Sequence, residues 1–205
     1  MSDIQFMEKP DWVSWEEICE CFQAANTVNY KKGFHMIYSD LTPDELEKSL
    51  KEGNGHCFVA LVGKKVVGTV SLMFWKHKWY HWWTRQIVAY TTYESILPEY
   101  RGTDVFLGLE DLLNKKIHDS GVRIRQCNTA EQNKTVIKLC QRAGYKFVQY
   151  SATGKGANYY SIIMVLWEDG CPYSDKFCDF MFMLSKMIIK TIWKPGYKLR
   201  IPFVK

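Results

Sequence analysis

The segment best able to do chemistry is the junction Ile96-Leu-Pro-Glu-Tyr-Arg-Gly-Thr-Asp-Val-Phe106, where a predicted strand passes directly into a predicted helix. The first turn of a helix presents backbone N–H groups without internal partners, and the helix dipole favours negative charge there. A pyrophosphate group can bind at such a junction through main-chain donors alone. The other interpretation is an ordinary turn in which Thr103 or Asp104 caps the helix. The segment by itself leaves both interpretations open.

Other reactive side chains lie on the chain just before this junction. Glu94 is on the predicted strand, and period-two alternation puts Tyr90 and Thr92 on the same side. Glu94 is therefore a candidate base, with a surface carboxylate at a strand edge as the alternative. His77 and His81 are further candidates for moving a proton. Their spacing, without a cysteine pair nearby, gives poor support for zinc, so we expect no metal site.

Eleven predicted elements must position these groups. The predicted strands cover residues 4–8, 57–62, 66–74, 85–97, 122–127, 145–150 and 159–167. Two predicted helices follow capping boxes at Ser14 and Thr42, and two more cover 103–118 and 133–142. The order is strand, two helices, three strands, helix, strand, helix and two strands. It predicts an α/β fold with a mixed, mostly antiparallel central sheet and helices on both faces.

The composition is that of a soluble globular protein, with 205 residues of which 47% are hydrophobic and 24% charged. We expect one domain over residues 1–170 and an addition over 171–205. The net charge of +5 is mild, and the basic residues are interleaved with acids, which argues against a nucleic-acid partner. Seven cysteines without a regular framework and the lack of a secretory signal predict reduced thiols in the cytoplasm.

Two segments together resemble the GNAT superfamily of acyl-CoA N-acyltransferases. Pro98-Glu-Tyr-Arg-Gly102 resembles the start of the family's acetyl-CoA motif, and Asn133-Lys-Thr-Val-Ile-Lys-Leu-Cys-Gln-Arg-Ala-Gly-Tyr145 resembles its second motif. The resemblance covers about residues 1–167 and looks closest to the phage-associated and small bacterial branch. It implies acetyl-CoA as co-substrate and the following cofactor-binding residues: Ile96, Leu97, Arg101, Gly102, Thr103, Asp104, Val105, Phe106 and Asn133.

Three positions depart from the family's pattern. Asp104 and Phe106 stand where the family has glycines, which let the backbone approach the phosphates closely. Cys140 stands where the family often has a tyrosine that protonates the departing CoA thiolate. A thiol at Cys140 could donate this proton, or solvent could supply it, or Cys140 could be a small core residue.

The aromatic stretch 75–83 lies where the resemblance implies a wall for the acceptor. The candidate substrate-binding residues are Trp75, Tyr80, Trp82 and Tyr90, although a subunit contact would explain the tryptophans equally well. We predict an N-acetyltransferase that moves an acetyl group from acetyl-CoA to a primary amine of a small molecule or protein by direct attack. Glu94 would be the base, and a backbone N–H near Leu97 would stabilise the oxyanion. The alternative is a catalytically inactive GNAT-fold binding or assembly module.

The addition contains a further predicted helix over residues 177–193, which is apolar almost all the way round. The plain interpretation is a helix packed on the domain or on a partner subunit, and we expect a homodimer. Contact between the basic tail and an anionic membrane is the less favoured alternative.

Overall fold

The computed structural model describes residues 4–31, 33, 41–76, 81–153, 157–194 and 198–199. Its strands are β1 (Ile4–Glu8), β2 (His56–Val62), β3 (Lys65–Lys76), β4 (Ile87–Ile96), β5 (Ile124–Ala130), β6 (Lys146–Ala152), β7 (Tyr160–Trp167), β8 (Trp193–Lys194) and β9 (Lys198–Leu199). Its helices are α1 (Trp15–Lys31), α2 (Pro43–Glu52), α3 (Val105–Ser120), α4 (Lys134–Arg142) and α5 (Asp175–Ile192). A 3₁₀ turn covers Pro98–Tyr100.

The first seven strands form one sheet in the order β1-β2-β3-β4-β5-β7-β6. The pair β4–β5 is parallel, and the other neighbouring pairs are antiparallel. The predicted element order and the mixed α/β fold class are therefore confirmed.

Helices cover both faces of the sheet. Tyr93 of β4 lies against α1 and α2, with its ring centroid 6.0 Å from that of Phe22 and its hydroxyl 3.2 Å from that of Ser49. On the opposite face, α3 packs over β3, and α4 packs over β5, where Cys140 Sγ lies 3.5 Å from Cys127 Sγ. Helices therefore cover both faces of the sheet around the carboxyl-terminal half of β4, where Glu94 lies.

Two glycines allow α3 to lie close to the sheet. A Cβ added at Gly68 of β3 would be 2.7 Å from Val105 Cγ1, and one added at Gly108 would be 2.4 Å from the ring of Phe6. Distances this short are not tolerated between carbon atoms, so neither position accepts a side chain without a shift. Gly68 thereby sets the height of the first turn of α3 above the sheet.

The predicted C-terminal helix is present as α5 and covers the last strand of the sheet. Ser185 Oγ accepts a hydrogen bond of 2.8 Å from the backbone N–H of Tyr150 on β6, and the ring of Phe182 lies 5.4 Å from that of Phe147. The division into a domain over 1–170 and an addition over 171–205 stays a prediction. Among the described residues, no helix is long and apolar enough to cross a membrane.

Candidate active site

The centre of the sheet opens where β4 and β5 part. These parallel strands pair at Ala89–Arg125, Tyr90–Gln126 and Thr91–Cys127. Beyond that point each strand pairs only on its outer side, β4 with β3 as far as Ile96 and β5 with β7 as far as Ala130. The carboxyl-terminal halves of β4 and β5 therefore border a gap, and β4 leads from the gap into α3.

Helix α3 begins next to this gap, and its first turn has backbone N–H groups without hydrogen-bond partners. The N–H of Gly108 donates to the carbonyl of Asp104 at 2.9 Å, which starts the helix, and the Asp104 side chain forms no capping bond. Within the described part of the chain, four nearby backbone N–H groups make no hydrogen bond: those of Gly102, Asp104, Phe106 and Leu107. Free N–H groups at the positive end of a helix suit an anion such as a phosphate.

The turn before α3 is held by the side chain of Arg101. Its Nε donates to the carbonyl of Ile96 at 3.2 Å, and its guanidinium also donates to the carbonyl of Ala25 on α1 at 2.6 Å. Gly102 follows with φ of +79°, a left-handed conformation that favours glycine. Arg101 therefore positions the turn against α1, and its role towards a ligand stays a prediction.

Three of the predicted cofactor-binding residues have side chains that are buried or already hydrogen-bonded. Leu97 and Val105 are buried, so these two positions could contact a ligand only through their backbone. The N–H of Leu97 already donates to the carbonyl of Val67 at 3.0 Å and so cannot itself stabilise an oxyanion. Asn133 caps α4, with its side-chain oxygen accepting from the N–H of Val136 at 3.4 Å.

A bulge in β4 determines which way Glu94 points. Thr92 pairs with Ser71 and Ser95 pairs with Thr69, so Tyr93 and Glu94 together oppose one residue of β3. Tyr93 takes a φ of +51°. The extra residue reverses the alternation of side chains beyond it. The prediction that Glu94 lies on the same side as Tyr90 and Thr92 is therefore wrong.

The bulge turns Glu94 towards the face covered by α3 and α4. Water reaches this side chain, but surrounding protein partly desolvates the carboxylate. This desolvation and then the negative charge of Glu110 on α3 raise the pKa of Glu94 to about 7. A carboxylate with such a pKa is a good proton acceptor at neutral pH.

The raised pKa makes stability depend on pH in a definite direction. In the unfolded chain Glu94 titrates near 4.5, whereas in the folded protein it titrates near 7. The folded state therefore holds the proton more tightly, and this contribution to stability is lost as pH rises through 7. We expect Glu94→Gln to be more stable than the wild type at about pH 8 and to lose that advantage at about pH 4. Urea unfolding of both proteins at the two pH values measures this difference. The prediction would be contradicted if the difference in stability between variant and wild type were the same at both pH values.

Two thiols lie on the same face as Glu94. Cys127 of β5 and Cys140 of α4 share a contact of 3.5 Å between their sulfur atoms. The hydrogen bond between the two thiols lowers the pKa of Cys140 and raises the pKa of Cys127. Cys140 is thus packed in the site and gives up a proton more readily than an ordinary thiol.

The aromatic candidates divide between two places. Trp75 stacks on Tyr90 with ring centroids 4.5 Å apart, and the Tyr90 hydroxyl accepts a hydrogen bond of 3.2 Å from Asn128 of β5. These three side chains lie across the sheet from Glu94. Trp82 instead donates to the carbonyl of Val148 at 3.2 Å and packs on the ring of Tyr173. Tyr80 and His77 lie outside the described residues.

His81 belongs to an aromatic cluster among the described residues and to no metal-binding group. The His81 ring packs edge-on against Trp83, with ring centroids 4.6 Å apart. In the described ranges no three His, Cys, Asp or Glu side chains form a group that could hold a metal ion. The absence of a metal in the working protein stays a prediction.

Sequence reasoning missed three residues of this site: Glu110, Cys127 and Asn128. Glu110 lies on α3, one turn beyond the first motif, and Cys127 and Asn128 lie on β5. All three are brought to the site by tertiary contact. Pairing of Tyr90 with Gln126 across β4 and β5 places Asn128 near the Tyr90 ring. A correct alignment of the two strands was the only signal that could have identified it.

Comparison with solved structures identifies the fold. No protein-family model matches the sequence, and no curated protein matches it. Among solved structures, an acetyltransferase from Streptococcus agalactiae 2603 superposes with a TM-score of 0.60 at 19% identity, over 82% of this chain and 99% of that chain. An acetyltransferase of the GNAT family from Streptococcus pneumoniae gives 0.55 at 17% identity, over 80% and 99%.

A third neighbour is a putative acetyltransferase from Salmonella typhimurium determined with its cofactor acetyl-CoA. It superposes with a TM-score of 0.57 at 12% identity, over 83% of this chain and 96% of that chain. The chain therefore has the GNAT fold, as its two motifs predicted. At these identities the likeness concerns the fold, so the role of each residue rests on this chain's own site. The link to the phage-associated branch stays a prediction.

Proposed function

We propose that the chain is an N-acetyltransferase that transfers an acetyl group from acetyl-CoA to a primary amine by direct attack. The observation that carries the proposal is the gap between β4 and β5 beside the unused N–H groups of α3. An opening between two strands next to an anion-binding helix terminus suits a long thiol cofactor with a phosphate end. A solved protein of the same fold, from Salmonella typhimurium, holds acetyl-CoA.

The residues present fit this co-substrate with one conflict. Free N–H groups on and just before α3 supply donors for phosphate, and Gly102 lets the turn approach them. The Asp104 carboxylate is exposed at the same terminus and would repel a phosphate. Because exposed charges are screened by water and salt, the repulsion weakens binding without abolishing it. Backbone donors remain whichever side chain stands at this position.

Glu94 supplies the base in this proposal. A primary amine is mostly protonated at neutral pH and must lose a proton before it attacks the thioester. A carboxylate with a pKa of about 7 holds that proton more readily than an ordinary glutamate would. Cys140 lies close by and is the group from which the leaving thiolate would take a proton, with solvent as the other source.

The acceptor would bind at the aromatic wall on the opposite face of the sheet, and its amine would reach Glu94 through the gap. Trp75 and Tyr90 offer stacked rings, and burial raises the pKa of Tyr90 to about 12, so its hydroxyl stays neutral. Ring faces attract cationic groups. We therefore propose an amine acceptor that carries an aromatic ring or a second positive charge, whether a small molecule or a protein. A homodimer and a cytoplasmic location remain predictions from the sequence.

A second candidate function is a binding or assembly module that has lost catalysis. The observation that favours it is the acidity of the opening, where Asp104 lies at the terminus of α3 and Glu110 lies near Glu94. Such a site would disfavour the phosphates of CoA. The two functions differ in one measurable property, the affinity for acetyl-CoA.

Substitutions at Asp104 separate the carboxylate from the backbone donor. Asp104 has φ of −69°, which proline can adopt, and a free N–H, which proline lacks. Asp104→Ala removes the charge and keeps the donor. We expect Asp104→Ala to bind acetyl-CoA several-fold more tightly than the wild type. Asp104→Pro should bind about tenfold more weakly than Asp104→Ala, because a hydrogen bond to a charged oxygen is lost.

Isothermal titration calorimetry with acetyl-CoA and with free CoA measures these affinities, and circular dichroism checks that each variant is folded. Micromolar binding by the wild type supports the enzyme. Binding by Asp104→Ala alone favours the catalytically inactive module, since the cradle would then be intact but blocked by charge. No binding by any of the three proteins at millimolar concentrations refutes the cofactor site.

A further inference from the structure

The outward face of α5 carries an uncovered apolar stripe. Phe180, Met183 and Met187 are 60%, 58% and 62% exposed, and their spacing of three and four residues puts them in one row. Lys176 and Lys190 continue this row at its two ends and are also exposed. The opposite face of the helix is already used, because Phe182 and Ser185 pack on β6. The helix is thus apolar on the side that faces solvent as well.

The net charge of the chain is concentrated in the stretch of sequence that contains this helix. Residues 171–205 contain seven basic and two acidic side chains, whereas residues 1–170 contain equal numbers of each. The entire formal charge of +5 therefore lies in the last sixth of the sequence. An apolar stripe bordered by lysines, on a helix that does not cross a membrane, is the pattern of a helix that lies in the membrane interface.

We propose that this face of α5 binds the surface of an anionic lipid bilayer. Phe180, Met183 and Met187 would enter the boundary between headgroups and acyl chains, and the lysines of the helix that border this row would face the lipid phosphates. Lys190 also lies 3.3 Å from Glu131, so part of its charge is used within the protein. This proposal does not depend on CoA binding.

A second copy of the chain fits this face less well. An 18-residue helix is about 27 Å long, and a strip about 10 Å wide along it offers roughly 300 Å². A stable interface needs about 800 Å² on each partner. Pairing of two copies would also bring together two segments that each carry the full positive charge of the chain, which is unfavourable. An anionic surface removes both objections.

The test is sedimentation of the full chain with lipid vesicles. We expect binding to phosphatidylcholine vesicles that contain about 30% phosphatidylserine, and little binding to pure phosphatidylcholine. The triple variant Phe180→Glu, Met183→Glu, Met187→Glu should bind the anionic vesicles at least about a hundredfold more weakly. The matched control is Trp12→Glu, Ile87→Glu, Leu139→Glu, which adds the same charge at exposed apolar positions elsewhere.

The control separates a local effect from a change in net charge. Retained binding by the control and loss by the α5 variant support the proposal. Equal loss in both, or equal binding to neutral and anionic vesicles, overturns it. No vesicle binding by the wild type also overturns it, and a dimer seen in sedimentation equilibrium and abolished by the α5 variant would then assign the face to self-association.

Discussion

Glu94→Gln is expected to lower kcat for acetyl transfer by about 10²- to 10⁴-fold, the range for loss of a general base. The amide cannot take the amine proton, yet it keeps the shape of the side chain. In the wild type, kcat/KM should rise with pH through about 7 and then level off, because only the ionised carboxylate acts as base. The variant should lack this limb. Release of free CoA thiol, followed with an amine acceptor found by screening, measures both effects.

Glu110→Gln is the matched control for this experiment. It removes a neighbouring carboxylate that raises the pKa of Glu94 without removing the proposed base. We expect the acid limb of the profile to move to lower pH while the plateau rate stays within a few-fold of the wild type. A Glu94→Gln enzyme with normal rate and an unchanged limb would assign the proton to another group or to water.

Gly68→Val should cost about 3 kcal/mol of the free energy of unfolding, at the upper end for overpacking of a core. Even the first added carbon would lie 2.7 Å from Val105 Cγ1 and 3.3 Å from Leu109 Cδ1. The valine methyl groups would push further into α3. Because Val105 is the first residue of that helix, the unused N–H groups would be displaced, and acetyl-CoA affinity should fall along with stability. Urea unfolding and calorimetry measure the two losses.

A double-mutant cycle tests whether the contact between positions 68 and 105 causes this loss of stability. Val105→Ala removes the methyl group that Gly68→Ala would contact, so the double variant should be more stable than the sum of the single changes predicts, by more than about 1 kcal/mol. Additive effects would mean that α3 does not meet β3 at this point. In that case the height of the helix above the sheet would have another origin.

Local signals predicted the elements well. The capping box at Thr42 is formed as expected, with the Glu45 carboxylate accepting from the N–H of Thr42 and the Thr42 hydroxyl accepting from the N–H of Glu45. Ser14 and Glu17 make the same pair of bonds. Both signals act within four residues, so the sequence contains all the information they need.

The orientation of Glu94 could not be predicted in the same way. The bulge at Tyr93 lies in a run without glycine or proline, and it is defined by how β3 pairs with β4. The contact between Cys127 and Cys140 depends on the rotation of α4 over β5, which is likewise a tertiary property. Simple alternation therefore assigned Glu94 to the wrong face of the sheet.

The aromatic stretch shows a different limit. Trp75 and Trp82 are of the same residue type and only seven positions apart, yet one stacks on Tyr90 near the gap and the other packs under Tyr173. Their types predicted large contact areas but not which partners would supply them. Residue type alone does not tell whether a tryptophan lines the proposed site or packs in the core, because that depends on the tertiary structure.

The bond from the backbone of Tyr150 to Ser185 has a consequence for how the chain can be shortened. A sheet that ends on an uncovered strand offers a row of free donors and acceptors to any other strand. Here α5 covers the edge strand β6. A chain cut at residue 170 would expose this edge to other molecules and would be prone to aggregate by strand pairing. The same contacts hold α5 on the sheet. A surface that binds the outer side of α5 would therefore bind the whole domain and not a detached helix.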